Sequence, residues 1–325
     1  MKYTSIKDLE ISKISYGCMG LSHGYGAIPS EKDSIALVNK AYDLGCNFFD
    51  TAECYADGQN EILVGKAIHN FRKDIILATK FHLPNEAKDN VYFTIKEHLI
   101  SSLKRLNTSY IDLYYYHRIN PNIRLNDVAL ALGKLIDEGL IRHYGVSQAS
   151  CEQIKLLNDT RELFAVQNEY SIMERMYEKE ASLCDSLNIV FVPFSPMGAG
   201  FLSGKYDENS TYFGDDVRRA ITRFSKENIR KNQKLLLLIE KYAALVGATK
   251  AQFSLSYIIS KHQNAIPIPG MRKIERIQKN FDSCNISISE ELLTKFEAEL
   301  SSLVIYGNRT DEDIMKLKDL LAKEQ

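Results

Sequence analysis

Three short, very apolar runs follow one another along this chain, and each ends on a polar residue capable of proton chemistry. Residues 46–49 run into Asp50, with Tyr55 five positions later; residues 75–79 run into Lys80; residues 111–116 run into His117. Apolar runs of this length, bounded by turn signals, read as buried strands of a parallel sheet. The C-terminal ends of such strands are where α/β folds keep their chemistry. An acid, a phenol, an amine and an imidazole delivered to one rim form a proton-transfer set that strand formation alone does not require.

The same alternation continues on both sides. Residues 14–20 read as the first barrel strand, preceded by a short hairpin within residues 2–12. Ser30 and Asp33 give a capping signature for a helix that stops at Gly45. Helices are expected over 60–68, 90–106, 126–138, 177–187, 225–246 and 250–261, with another from Ser150. Further strands fall at 141–146, 163–166, 189–194 and 265–269, the last followed by a helix near 273–281. Eight strands, each followed by a helix, predict an α/β fold of the (β/α)8 TIM barrel type, one domain over residues 1–325. The long irregular stretch 203–225 fits a functional loop such as a lid. Residues 287–325 read as extra C-terminal helix, with Ile314, Leu317 and Leu321 packed outside the barrel.

Composition narrows the function. The 325 residues are 45% hydrophobic and 26% charged with a formal net charge of −1, a balance that points away from nucleic acid and from anionic membrane surfaces. No apolar segment approaches the roughly 20 residues a membrane span needs, and the first residues lack a signal-peptide core. The six cysteines are scattered with no CxxC pair, as in a reduced, cytoplasmic protein. No His-x-His pair, HExxH or cysteine cluster suggests a metal, so a metal-dependent hydrolase on this fold is disfavoured. No GxGxxG follows a strand, which excludes a Rossmann site. The oligomeric state is not legible.

Hydride addition to a carbonyl requires its oxygen to be protonated or polarised as charge develops. A tyrosine can donate that proton, a neighbouring ammonium lowers its pKa, a carboxylate keeps the ammonium charged, and a histidine can orient the substrate oxygen. Tyr55, Lys80, Asp50 and His117 match those roles. Singly, each has a plain reading as a loop, surface or structural residue; together, at matching strand ends, they do not. Gly270, Arg272, Lys273 and Arg276 after the eighth strand offer a basic helix start where barrels often hold phosphate.

At this point the chain resembles an aldo-keto reductase over residues 14–280. The stretch Asn47-Phe48-Phe49-Asp50-Thr51-Ala52-Glu53-Cys54-Tyr55, then Asn60-Glu61, Ala78-Thr79-Lys80 and Ile111 to Arg118, carries the likeness. The resemblance implies an NADPH-linked carbonyl reductase acting on a small-molecule substrate, with Tyr55 as general acid supported by Asp50, Lys80 and His117. It implies that Ser147, Gln148 and Gln167 hold the nicotinamide carboxamide and that Phe194 stacks on its ring. The turn Ser195-Pro196-Met197-Gly198-Ala199-Gly200 would cover the pyrophosphate. Gly270, Arg272, Arg276 and Asn280 would grip the adenosine end, the two arginines favouring a 2′-phosphate. Gln148 stands where Asn is common, Ala199 replaces a polar residue, Met271 a Thr or Ser, and Lys279 a Glu. Regulatory NADPH-binding subunits of channels share the same four residues, so the resemblance leaves that second function open. Tyr25, His82, Ile119, Tyr212 and Phe213 are candidates for the substrate pocket wall.

Overall fold

A computed structural model describes residues 1–310 together with 312, 314, 316, 317 and 321. It opens with an antiparallel hairpin, β1 (Tyr3–Ile6) and β2 (Leu9–Ser12), in which Ile6 pairs with Leu9 across the turn. The parallel sheet follows: β3 (Tyr16–Gly17), α1 (Glu31–Asp43), β4 (Phe48–Asp50), α2 (Gln59–Ile68), β5 (Ile76–Phe81), α3 (Val91–Leu106), β6 (Ile111–Tyr116) and α4 (Leu125–Asp137). Next come β7 (Ile141–Ser147), α5 (Cys151–Thr160), β8 (Ala165–Gln167), α6 (Glu178–Ser186) and β9 (Val190–Phe191). The chain then adds α7 (Lys226–Lys231), α8 (Gln233–Leu245), α9 (Lys250–Lys261), α10 (Ile274–Asp282) and α11 (Glu290–Ser301).

Strands β3 to β9 pair in sequence order as a parallel sheet. The expected eighth barrel strand closes the circle through an irregular ladder. Ile266 and Ile268 donate to the carbonyls of Phe191 and Pro193 at 2.8 and 3.1 Å on one side. On the other side Pro267 and Pro269, which have no N–H, can only accept, and they take bonds from Ser15 and Gly17 at 3.0 and 3.3 Å. Half of the rungs toward β3 are therefore missing while closure is kept. The architecture is the (β/α)8 barrel.

Period two decides what each strand sends inward. Phe48, Ile76, Ala78, Leu113, Tyr115, Ala165, Val190, Val192, Ile266 and Ile268 fill the interior, and the intervening Phe49, Leu77, Tyr114 and Val166 face the helices. Gly145 makes one of these layers possible, since a Cβ there would lie 2.5 Å from the ring of Tyr115. Ile6 and Ile11 of the hairpin join the interior cluster and plug the N-terminal end. Asn47, just before β4, ties the hairpin down by accepting from the Ser12 N–H at 2.8 Å and donating to the Glu10 carbonyl at 2.8 Å.

Two expectations about helices need correction. The helix expected over 225–246 is two helices separated at Asn232, a buried residue whose amide donates to the Tyr306 carbonyl at 2.9 Å while its oxygen accepts from the Tyr306 N–H at 3.0 Å. The helix expected from 287 begins at Glu290 on a Ser289 cap and ends at Ser301. Residues 304–310 then run back as an irregular strap over the loop, with the Asn308 N–H donating to Thr222 Oγ1 at 2.9 Å. Gly307 makes this close approach, at φ 76°, where a Cβ would lie 2.7 Å from the Arg223 nitrogen. Leu317 is buried, and Ile314 packs against the core; the rest of the segment expected to reach residue 325 lies outside the described residues apart from 312, 316 and 321.

The loop at 203–225 holds short 3-10 turns at Val217–Arg219 and Thr222–Phe224. It is clasped to the loop after β3, because Asp215 accepts from the N–H groups of Gly24 and Gly26 at 2.7 and 3.0 Å.

Candidate active site

Asp50, Lys80 and His117 continue the inward phase of β4, β5 and β6 past the last apolar layer. Phe48 precedes Asp50 by two residues, Ala78 precedes Lys80, and Tyr115 precedes His117. All three polar groups thus reach the C-terminal mouth of the barrel. Tyr55 arrives on a turn rather than a strand. Buried Asn60 fixes that turn by accepting from Thr51 Oγ1 at 2.6 Å and donating to the Cys18 carbonyl at 3.0 Å and to Ser22 Oγ at 2.8 Å. The Glu53 N–H donates to the Lys80 carbonyl at 3.1 Å, joining the turn to the end of β5.

The four side chains converge. Lys80 Nζ donates to Asp50 Oδ1 at 2.5 Å, to the Thr51 carbonyl at 2.7 Å and to Tyr55 Oη at 3.4 Å. Asp50 Oδ2 accepts from Gln167 Nε2 at 2.8 Å, so both carboxylate oxygens are partnered. The rings of Tyr55 and His117 meet edge-on with centroids 6.0 Å apart. Lys80 is fully buried, a location that is tolerable for an ammonium only with this ion pair and full hydrogen bonding.

The electrostatics follow from burial. Desolvation opposes the charge on Lys80, but Asp50 and then Tyr55 outweigh it and leave its pKa raised, so the ammonium persists. Tyr55 departs from the simple expectation: burial pushes its pKa above 10.0, and Lys80 offsets that only in part. The phenol therefore remains protonated at neutral pH. His117 is held well below 6.5 by burial, with Lys80, Arg118 and His82 adding repulsion, so its imidazole is neutral.

The other expected residues line the same rim and its flank. Ser147 and Gln167 are paired neighbours across β7 and β8, and the Gln148 N–H donates to the Gln167 carbonyl at 3.1 Å. Gln167 thus stands at a junction between Asp50 and the rim of Ser147. Phe194 is half-buried beyond β9. The turn after it is strongly left-handed: Ser195, Gly198, Ala199 and Gly200 have φ of 50°, 55°, 56° and 93°. Pro196 is buried there and Met197 packs against the core. Gly270 is exposed, Arg276 is exposed in the first turn of α10, and Asn280 is half-buried in its last turn. Arg272 is placed differently from a purely phosphate-facing residue. Its guanidinium donates to the carbonyls of Ala27 and Tyr25 at 2.8 and 3.0 Å and so braces the loop after β3.

Sequence reasoning missed several contributors. Lys205 faces Arg276, Lys273, Arg218 and Arg272, and partial burial followed by these four charges lowers its pKa. Its signal was only a lysine shortly after a glycine-rich turn. Arg118 donates to the His117 carbonyl at 2.8 Å and to Ser147 Oγ at 3.3 Å, linking two rim positions. Arg309, ion-paired with Glu169 at 3.2 Å, lies 5.3 Å from the centroid of the Phe194 ring; nothing local in the sequence connects residue 309 with 194. His23 packs against the Tyr55 ring at 5.2 Å, and His82 against His117 at 4.5 Å, which makes the mouth imidazole-rich. Of the five residues offered for the pocket wall, His82 has the contact nearest the four, while Tyr25, Tyr212 and Phe213 line a cleft of about 410 Å³ between the two clasped loops.

Comparison with known proteins identifies the family. The sequence matches the aldo/keto reductase family over residues 13–299. It is 35% identical over 297 residues to probable aldo-keto reductase 1 of Glycine max, covering 89% of this chain and 86% of that one. It is 32% identical over 311 residues to aldo-keto reductase yakc of Schizosaccharomyces pombe, a protein named for NADP(+), covering 92% and 91%. Among solved structures, the glycerol dehydrogenase of Gluconobacter oxydans superposes with a TM-score of 0.83 at 25% identity over 94% of this chain and 96% of that one. An aldo/keto reductase of Klebsiella pneumoniae in complex with NADP and acetate gives 0.70 at 25% identity over 90% and 93%. With this match over most of its length and these relatives, the chain belongs to the aldo/keto reductase family.

Proposed function

We propose that this chain, acting as one barrel domain, is an NADPH-dependent reductase of small aldehydes or ketones. The observation that carries the reading is the single ammonium of Lys80, which reaches both Asp50 and Tyr55 at the mouth of the barrel. Tyr55 donates its phenolic proton to the carbonyl oxygen as negative charge develops there. Lys80 stabilises the phenolate left behind, and Asp50, held by Gln167, keeps that ammonium charged and in place. Neutral His117 hydrogen-bonds the same oxygen and orients it. Burial of Asp50, Lys80 and His117 beneath the half-exposed Tyr55 keeps these interactions strong by excluding water.

The residues present fit the cofactor. Five cations (Lys205, Arg218, Arg272, Lys273 and Arg276) gather on one flank, with Arg218 ion-paired to Asp216, and such a cluster suits an anionic dinucleotide. Ser147, Gln148 and Gln167 would hold the carboxamide, Phe194 the ring face, and the turn 195–200 the pyrophosphate through its backbone. Gly270, Arg272, Arg276 and Asn280 would hold the adenosine end, with Lys205 joining them. When bound, NADPH supplies the hydride. The relative named for NADP(+) and the structure complexed with NADP support the same choice. No helix among the described residues is long and apolar enough to cross a membrane. We place the protein in the cytoplasm with no nucleic-acid partner, in keeping with its near-neutral charge.

The test is NADPH oxidation by the purified protein against a panel of aldehydes and ketones, with NADH alongside. Carbonyl-dependent oxidation, faster with NADPH at low cofactor concentration, is the expected result. Tight NADPH binding with no oxidation by any carbonyl would replace the reductase reading with that of a cofactor-sensing subunit.

A further inference from the structure

The geometry points to a second ligand at the mouth of the barrel: we infer that Cys54, His82 and His117 form a reversible zinc site. Each residue offers one donor atom, and the three donors lie within 4.8 Å of one another. Cys54 Sγ is 3.6 Å from His117 Nδ1. A tetrahedral ion bonded to sulfur at about 2.3 Å and to nitrogen at about 2.0 Å sets those donors about 3.5 Å apart, so this pair already has the separation of a chelate. A thiol–imidazole hydrogen bond explains that one distance. It does not explain the third donor, since the His82 ring is only 4.5 Å from the His117 ring and tilted 38° to it.

The site is also preorganised. Glu53 Oε1 accepts from the His82 N–H at 2.8 Å, and Glu53 Oε2 lies 2.8 Å from His98 Nδ1, so the carboxylate pins the backbone from which His82 extends. The donor set chooses the ion. One thiolate with two neutral imidazoles suits Zn²⁺, whereas Mg²⁺ and Ca²⁺ require oxygen ligands. Three protein donors leave one coordination position for water. The three residues run from exposed Cys54 through half-buried His82 to buried His117, so an ion held by them stands on the path by which a carbonyl reaches His117. Binding converts the Cys54 thiol to thiolate and releases its one proton to solvent; no electron changes hands.

The site itself rests on geometry alone, while its consequence, zinc inhibition of turnover reversed by a chelator, rests on the reductase reading. The experiment therefore reads binding directly. Full-length, metal-stripped protein is titrated with Co²⁺ and then with Zn²⁺, following the thiolate-to-cobalt charge-transfer band, for the wild type and for Cys54→Ser and His82→Gln. The expected result is one ion per chain, a charge-transfer band lost in Cys54→Ser, and affinity lowered about a hundredfold or more in His82→Gln. Far-ultraviolet circular dichroism checks folding, and His82→Gln decides the matter if Cys54→Ser misfolds. Absence of the band in the wild type, a band surviving Cys54→Ser, or unchanged affinity in His82→Gln would overturn the assignment. Because none of these readings uses turnover, failure here leaves the reductase proposal intact, and inactivity toward carbonyls leaves the metal site intact.

Discussion

The two ends of one barrel are built from the same strands and have opposite chemistry. At the N-terminal end, Phe48, Ile76, Leu113, Phe164 and Val190 close on Ile6 and Ile11 of the hairpin, a mainly apolar plug with His143 stacked on Phe164 at its edge. At the other end, the same inward phase of β4, β5 and β6 presents Asp50, Lys80 and His117. The difference lies in two to four residues per strand. Apolar inward positions need only shape and volume. Polar inward positions need complete partnering, and the mouth supplies it through Thr51, Tyr55 and Gln167.

The comparison can be broken most forcefully at Lys80. Lys80→Met leaves Asp50 buried without its counter-ion and is expected to cost about 3–5 kcal/mol in urea unfolding. Adding Asp50→Leu should recover much of that stability, because a well-packed apolar pair replaces a buried ion pair, while turnover stays absent. Recovery of turnover in the double variant would contradict the roles given to this end. At the plug, Ile6→Ala is expected to cost about 2–5 kcal/mol through its cavity, with kcat unchanged in the folded protein. A plug variant that folds normally yet loses turnover would show that the two ends are not separable.

A smaller effect is expected on the cofactor flank. Arg276→Ala should raise KM for NADPH about tenfold and leave KM for NADH nearly unchanged, the loss of one charge-assisted hydrogen bond. Equal effects on both cofactors would remove Arg276 from the 2′-phosphate. The smallest effect is a null. A lowered pKa keeps His117 neutral above that value, and a raised pKa keeps Tyr55 protonated below 10.0, so the intervening range contains no titration of either. The profile of kcat/KM for reduction should accordingly be flat from about pH 6.5 to 9. A limb near 6.5 that vanishes in His117→Gln would show a protonated histidine at work.

Much of this was legible in the sequence because strands announce themselves locally. The runs before Asp50, Lys80 and His117 are apolar and short, and each is found as a strand within two residues of its expected limits. Asp50, Lys80 and His117 converge as expected because parallel strands in register must bring their ends to one rim, and Tyr55 joins them on the turn that Asn60 holds. What was not legible depends on long-range partners. The break at Asn232 exists because Tyr306 satisfies its amide, 74 residues away. The position of Arg309 over Phe194 depends on the strap that follows α11, and Arg272 turns toward carbonyls of a loop 245 residues earlier. The Cys54, His82 and His117 cluster was invisible for the same reason, since its members leave three different strand ends and show no ligand spacing.

The most direct test of the central claim, that the mouth carries proton transfer to a carbonyl, is Tyr55→Phe measured by NADPH binding and by single-turnover oxidation in parallel. The account predicts an unchanged Kd for NADPH and a rate lower by about 10²–10⁴, the range of general acid catalysis. A mutant that binds NADPH and turns over at the wild-type rate would contradict it.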